Sequence, residues 1–195
     1  MKFKRFEIAL ALGLILCLLM SALTTGTQAG LSGKLVRLHI LANSDSEADQ
    51  AIKLAVRDRL LKEADFTDGD ITADKLARLE AVAQDELACL SSTHSVTVSR
   101  AWMYFDTREY QGFALPAGYY DAVRVVIGAG EGRNWWCVMY PGLCTGASEA
   151  ELEDAALAAG FSEDELAFIR QDGTTYVVRF KLAEIAGQIR GLWAR

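Results

Sequence analysis

Apolar positions along this chain fall into stretches of different period. Ile8 to Leu23 is one apolar run without a charge, and everything behind it breaks into shorter patterned segments. Leu35-Val36-Arg37-Leu38-His39-Ile40-Leu41 is aliphatic and β-branched and predicts a buried strand. Ile52, Val56 and Leu60, with Ala48, Ala51 and Ala55 beside them, predict a helix that ends near Ala64. Thr67-Asp68-Gly69-Asp70 is a turn, and Leu76, Leu79, Ala83, Leu87 and Leu90 mark the inner stripe of a second helix from about Thr72 to Leu90.

The period then changes to two. Val96, Val98, Trp102 and Tyr104 alternate with smaller or polar residues, which predicts a strand, and Asp106 to Gly118 reads as a loop. Tyr119 to Ile127 is a second strand with Val123, Val125 and Ile127 on one face, and Asn134 to Tyr140 is a third. Ser148 to Gly160 and Ser162 to Arg170 read as helices, Thr174 to Leu182 as a strand and Ala183 to Trp193 as a terminal helix. Helices and strands mix without a strict βαβα rhythm. The expected fold class is therefore α+β: a single domain with helices packed on a largely antiparallel sheet.

The apolar leader changes this picture at one end. Lys2, Lys4 and Arg5 precede it, and Thr27-Gln28-Ala29 places small residues where a signal peptidase cuts. The expectation is a signal peptide or membrane anchor over residues 1–29 and a folded domain over residues 30–195, outside the cytoplasm that made it. Leu16 before Cys17 argues against a lipoprotein cysteine. The whole chain carries a net charge of −6, and removing the basic leader makes the rest more acidic. Such a body has no electrostatic reason to bind nucleic acid or an anionic membrane surface.

Candidate chemistry is sparse. His39, Asp45 and Asp49 lie around a strand-to-helix junction and could form a metal or anion site. Capping accounts for the same residues, with Ser44-x-x-Glu47 at capping-box spacing, and Asp49, Lys53 and Arg57 at helical spacing read as a solvated face. Gly128-x-Gly130-x-Gly132 is flanked by strands and reads as a hairpin, because a phosphate-binding glycine loop must open a helix. Trp135 and Trp136 are adjacent on a strand and must point to opposite faces, which leaves one free to anchor a partner. Cys137 and Cys144 flank Pro141-Gly142 and can be read as a small disulfide loop, favoured by export, or with Cys137 as a thiol nucleophile. The disulfide leaves Cys89 as an unpaired, buried helix residue. With His39 and His94 as the only histidines, and no nucleophile elbow, HExxH or Walker loop, an enzyme reading has little support.

Arg37-Leu38-His39-Ile40-Leu41-Ala42-Asn43-Ser44-Asp45-Ser46, followed by Asp49-Gln50, Lys53-Leu54 and Val56-Arg57-Asp58, resembles the opening signature of the stage II sporulation protein R family. Leu115-Pro116-Ala117-Gly118-x-Tyr120-x-Ala122-x-Arg124-Val125 resembles the family's central strand. Gly128-x-Gly130-x-Gly132-x-Asn134-Trp135-Trp136-Cys137-Val138 with Pro141-x-Leu143-Cys144 resembles its most specific stretch, and Val178-Arg179-Phe180-Lys181-Leu182 also fits. The chain departs from the family at Phe105-Asp106-Thr107-Arg108, where a Pro and a Lys are usual, and at Gly142, where a second Pro is usual.

The resemblance implies a protein exported from the forespore into the space between forespore and mother cell. There it triggers a membrane-embedded aspartic protease, stage II sporulation protein GA, which processes pro-sigma-E. It also implies no catalytic residues, no cofactor, no metal and no small-molecule substrate. Asn43, Asp45, Asp49, Trp135 and Trp136 are the expected partner contacts. The competing expectation is a secreted cell-wall hydrolase, which would need paired carboxylates or a metal cluster in a cleft.

Overall fold

The computed structural model describes residues 4, 7–16, 19, 30–63, 69–110, 113–142 and 149–170. In chain order the elements are β1 (Val36–Leu41), α1 (Glu47–Glu63), α2 (Ala73–Cys89), β2 (Val96–Phe105), β3 (Arg108–Tyr110), β4 (Phe113–Leu115), β5 (Gly118–Ile127), β6 (Asn134–Tyr140), α3 (Glu149–Ala158) and α4 (Glu163–Ile169). Helices and a largely antiparallel sheet are mixed, as the residue pattern predicts. The expected strand Thr174–Leu182 and helix Ala183–Trp193 lie outside the described residues. Residues 7–16 are helical, and no helix among the described residues is long and apolar enough to cross a membrane.

The chain groups into two units. One comprises Ser32–Met103 and Tyr119–Phe161, the other Met1–Leu31, Tyr104–Gly118 and Ser162–Arg195. The main sheet has the strand order β2-β5-β1-β6. β1 pairs parallel with β5, Leu38 beside Val123 and Ile40 beside Val125, and antiparallel with β6, Leu38 beside Cys137 and His39 beside Trp136. β2 runs antiparallel to β5. Gly128 N donates to Ser95 O at 2.8 Å, while at the far end Trp102 stacks on Tyr119. A central strand with neighbours on both edges and cover on both faces explains why β1 reads as a nearly continuous apolar run.

The core fills one face of this sheet. Val36, Leu38 and Ile40 of β1, Val96 and Val98 of β2, Val123, Val125 and Ile127 of β5, and Cys137 and Met139 of β6 meet Val56 and Leu60 of α1 and Leu79, Ala83 and Leu87 of α2. Each large side chain buried here contributes about 1.5–3 kcal/mol before conformational entropy is subtracted. Thr72 caps α2, its hydroxyl accepting from Lys75 N at 3.3 Å. On the opposite face Arg37 is fully buried, its guanidinium 5.2 Å from the centre of the Tyr120 ring. Phe161, also buried, lies under Lys34.

Two expectations need correcting. Asp106 to Gly118 contains the β3–β4 hairpin, with Arg108 opposite Leu115 and Tyr110 stacked on Phe113 at 4.7 Å. Strands of three residues are too short to show an alternation, so the segment reads as a loop. Cys89 is free and exposed rather than buried, because the inward stripe of α2 runs through Leu79, Ala83 and Leu87 and ends before it. In the same unit as the hairpin, α4 starts with a capping box between Ser162 and Glu165, and Phe113 bridges to Arg170.

Candidate functional site: a glycine hairpin clasped by a strand-to-helix junction

β1 ends at Leu41, and the chain turns through Ala42 to Ser46 into α1. Ser46 is the cap: its hydroxyl accepts from Asp49 N at 3.1 Å, and its carbonyl from Gln50 N at 2.9 Å. The expected box between Ser44 and Glu47 does not form; the cap lies two residues later, because Ser44 is engaged elsewhere. Its hydroxyl donates to Asp49 Oδ2 at 2.5 Å, and its carbonyl accepts from Gln50 Nε2 at 2.9 Å.

Asp49 is the hub of this junction. Asn43 Nδ2 donates to its Oδ2 at 2.9 Å, and His94 Nε2 lies 3.0 Å from its Oδ1. The hydroxyl of Ser44 and the amide of Asn43 hold its carboxyl well below the usual carboxylate range, opposed by burial and helped by His94. Asp49 is buried at 8% exposure. Lys53 follows at 5% exposure, its ammonium donating to Gln50 Oε1 at 2.7 Å and to Arg133 O at 2.9 Å. Burial lowers its pKa, with Arg133 adding to the effect. Arg57 completes the stripe, lying over the Trp135 ring at 4.2 Å. That cation–π contact is worth about 0.5–1 kcal/mol. The helical spacing Asp49–Lys53–Arg57 therefore marks an inward polar stripe, not the solvated face expected of it. Its partners come from the β5–β6 connection and from His94, which helical spacing cannot reveal.

The glycine-rich hairpin Gly128–Gly132 sits on this junction by its backbone. Ala129 N donates to Asn43 Oδ1 at 2.9 Å, Glu131 N to Asn43 O at 3.2 Å and Gly132 N to Ala42 O at 2.9 Å. Arg133 N donates to Asp45 Oδ1 at 2.7 Å. Gly132 has to be glycine on steric grounds, since a Cβ there would overlap the Ser44 carbonyl oxygen. Gly128 has φ +57°, a left-handed conformation that glycine adopts without penalty.

β6 leaves the hairpin with its two tryptophans on opposite faces. Trp135 is on the core side, packed against the core cluster and under Arg57; its Nε1 is buried without a hydrogen-bond partner among the described residues. Trp136 is on the other face, stacked on His39 at 3.9 Å with the rings within 2° of parallel. His39 Nε2 pairs with Asn134 Oδ1 at 2.9 Å, and burial lowers the imidazole pKa against that hydrogen bond. His39 thus faces away from Asp45 and Asp49, so the three do not converge on one ion. No group of three or more metal-capable side chains occurs among the described residues. Cys137 is disulfide-bonded, which removes it as a thiolate; Cys144 lies outside the described residues.

A model of the family described as stage II sporulation protein R matches residues 32–150, more than half of the chain and all of the clasp. The chain belongs to the stage II sporulation protein R family. A curated relative, stage II sporulation protein R of Bacillus subtilis (strain 168), is 37% identical over 118 residues, covering 56% of this chain and 53% of the relative. The chain thus matches about half the length of that relative. No solved structure matches. Within the stage II sporulation protein R region, Asn43–Asp49 forms a hydrogen-bonded assembly with the hairpin that leads into Trp135 and Trp136, whose rings pack on Arg57 and His39. Lys53, His94 and Arg133 belong to it and were missed as members. Of the three, only Lys53 leaves a trace in the helical pattern, one turn beyond Asp49.

Proposed function

We propose that this chain is an exported signal of endospore formation that activates the membrane-embedded aspartic protease, stage II sporulation protein GA, and so starts processing of pro-sigma-E. The observation that carries the reading is the family match over residues 32–150, which supports a sporulation role. The leader supports export: a basic start, a charge-free apolar run and small residues at Thr27-Gln28-Ala29.

The clasp supplies the contact surface in this proposal. Asp45 and Arg133 are exposed at its rim, Trp136 is half-buried a few residues beyond Arg133, and Asp49 acts from inside by fixing Asn43 and Ser44. A ligand activates a receptor only through differential affinity for its two states. A surface cross-linked by backbone hydrogen bonds loses little entropy on docking, so more of its contact energy is available for that difference. Cys137, in the middle of β6, and Cys144 form the proposed disulfide.

The test is reconstitution of the chain with membranes holding the protease and pro-sigma-E, reading cleavage of the precursor. Cleavage should require both the chain and the protease, and Trp136→Ala should reduce it about tenfold or more, as hot-spot aromatics do. Absence of cleavage with folded protein would defeat the proposal. Cleavage that persists without the protease would point to hydrolytic activity of the chain instead.

A further inference from the structure

β2 is an edge strand of the main sheet among the described residues, and its edge is treated in two ways. At one end its outward N–H groups are capped by side chains of α2: Val96 N donates to Gln84 Oε1 at 3.3 Å and Val98 N to Glu80 Oε2 at 2.8 Å. Alternate residues of an antiparallel strand present N–H and C=O to the same edge. Arg100 and Trp102 therefore carry the next outward pairs, and no side chain among the described residues caps them. The side chains here are also uncovered. Trp102 is 60% exposed, Tyr119 stacked on it is 42% exposed, and Arg100, paired with Asp121, is 56% exposed. An open edge beside an exposed tryptophan is what proteins ordinarily suppress with lysine, proline or a covering element.

We infer that this edge pairs with the same edge of a second copy of the chain, β2 against β2, about a twofold axis at Ala101. The strand is self-complementary around that point. Arg100 of one copy falls opposite Trp102 of the other, and each such pair exchanges N–H···O bonds in both directions. The guanidinium meets the indole across the strands, a cation–π contact repeated by symmetry. Ala101, at the axis, is small enough for the close approach of a non-hydrogen-bonded pair. Pairing cannot extend past Val98, where Glu80 occupies the edge, so α2 sets its limit. The result is one continuous sheet across two copies and an isologous interface. An interface this short lies at the small, transient end of the range, so the dimer forms only at raised concentration.

The experiment uses the whole chain in mild non-ionic detergent, with no protease present. Sedimentation equilibrium is run over a concentration series up to about 1 mM, where millimolar dissociation constants are still visible. Hydrogen exchange is measured at the low and high ends. The expected result is a monomer–dimer equilibrium in which the Arg100 and Trp102 amides exchange more slowly at high concentration. Trp102→Lys, which sets like charges opposite each other on an exposed position, should weaken association about tenfold or more. A chain monomeric throughout overturns the inference. So does association that Trp102→Lys leaves unchanged, or that leaves both amides unprotected.

Discussion

Replacing Gly132 with alanine tests whether the clasp is as tight as its hydrogen bonds imply. The added Cβ would overlap the Ser44 carbonyl oxygen, and it would lie 2.6 Å from the Ser44 carbonyl carbon and 2.9 Å from Ala42 Cβ. Two of the three obstacles are backbone atoms, which cannot rotate aside as the end of a side chain would. The hairpin must lift away, and the first bond to suffer is Gly132 N–H to Ala42 O, now 2.9 Å. Overpacking of this kind costs about 1–3 kcal/mol. A weakened buried hydrogen bond adds about 0.5–1.5 kcal/mol. A loss of roughly 2–4 kcal/mol corresponds to a fall in Tm of about 5–15 °C for a chain of this size. Gly142→Ala is the matched control, since its Cβ would meet nothing within 4 Å; it should change stability by less than about 1 kcal/mol. Thermal and urea unfolding of the three proteins side by side gives the comparison. If Gly132→Ala matches Gly142→Ala, the hairpin is not held against the junction.

Other consequences follow from the same contacts. The Asp49 carboxyl is held below its unfolded value, so its contribution is present above the unfolded pKa, about 3.9, and is lost as pH falls through the folded one. The gap in urea midpoint between the native chain and Asp49→Asn should therefore be wide at pH 6 and narrow toward pH 2; a gap constant over that range would remove Asp49 from its role as hub. Burial lowers the His39 pKa as well, so protonation below about pH 6.5 favours the unfolded chain. His39→Phe keeps a ring against Trp136, and should show a smaller loss of stability between pH 7 and pH 5 than the native chain does. Leu60→Ala, at a fully buried position in α1, should cost about 2–5 kcal/mol in urea unfolding, and a smaller loss would mean that α1 is not packed on the sheet as described.

Where apolar spacing alone decides an element, the sequence reads correctly. β6 runs from Asn134 to Tyr140, α2 spans Ala73–Cys89, and β5 turns Val123, Val125 and Ile127 to the core, all as the pattern predicts. Reading fails where the deciding partner is distant in the chain. Lys53 looks like half of a surface ion pair with Asp49, yet its ammonium is bound to a carbonyl eighty residues away and Asp49 is bound to His94. Trp102 fails in the opposite direction. Its alternation with Val96 and Val98 is perfect for burial, but the burial on that face ends at Val98, and Trp102 is left 60% exposed. Period-two spacing identifies a face, and it carries no information on how far along the strand that face is covered.

The polar residues of the clasp answer a problem the glycines create. A hairpin built on Gly128, Gly130 and Gly132 has few side chains to pack and a large conformational entropy to lose, about 1–2 kcal/mol for each backbone residue fixed. Hydrophobic burial cannot order it. Its amides must find acceptors, and the strand-to-helix junction supplies them: a side-chain oxygen from Asn43, two backbone carbonyls from Ala42 and Asn43, and a carboxylate oxygen from Asp45. An acceptor is useful only if it is itself fixed, and Asp49 fixes Asn43 and Ser44 from below. This ordering of dependence, Asp49 on Asn43 and Asn43 on the hairpin, makes the direction of β6 a consequence of a carboxylate some ninety residues earlier. Trp135 and Trp136 take their places from that direction, one over the core and one on His39. In the proposed role, substitutions at Asp49 should therefore impair signalling in proportion to their effect on the hairpin, while Trp136→Ala should impair it with the hairpin intact. Amide exchange at Ala129 and Gly132 separates the two, slow in Trp136→Ala and fast in Asp49→Asn.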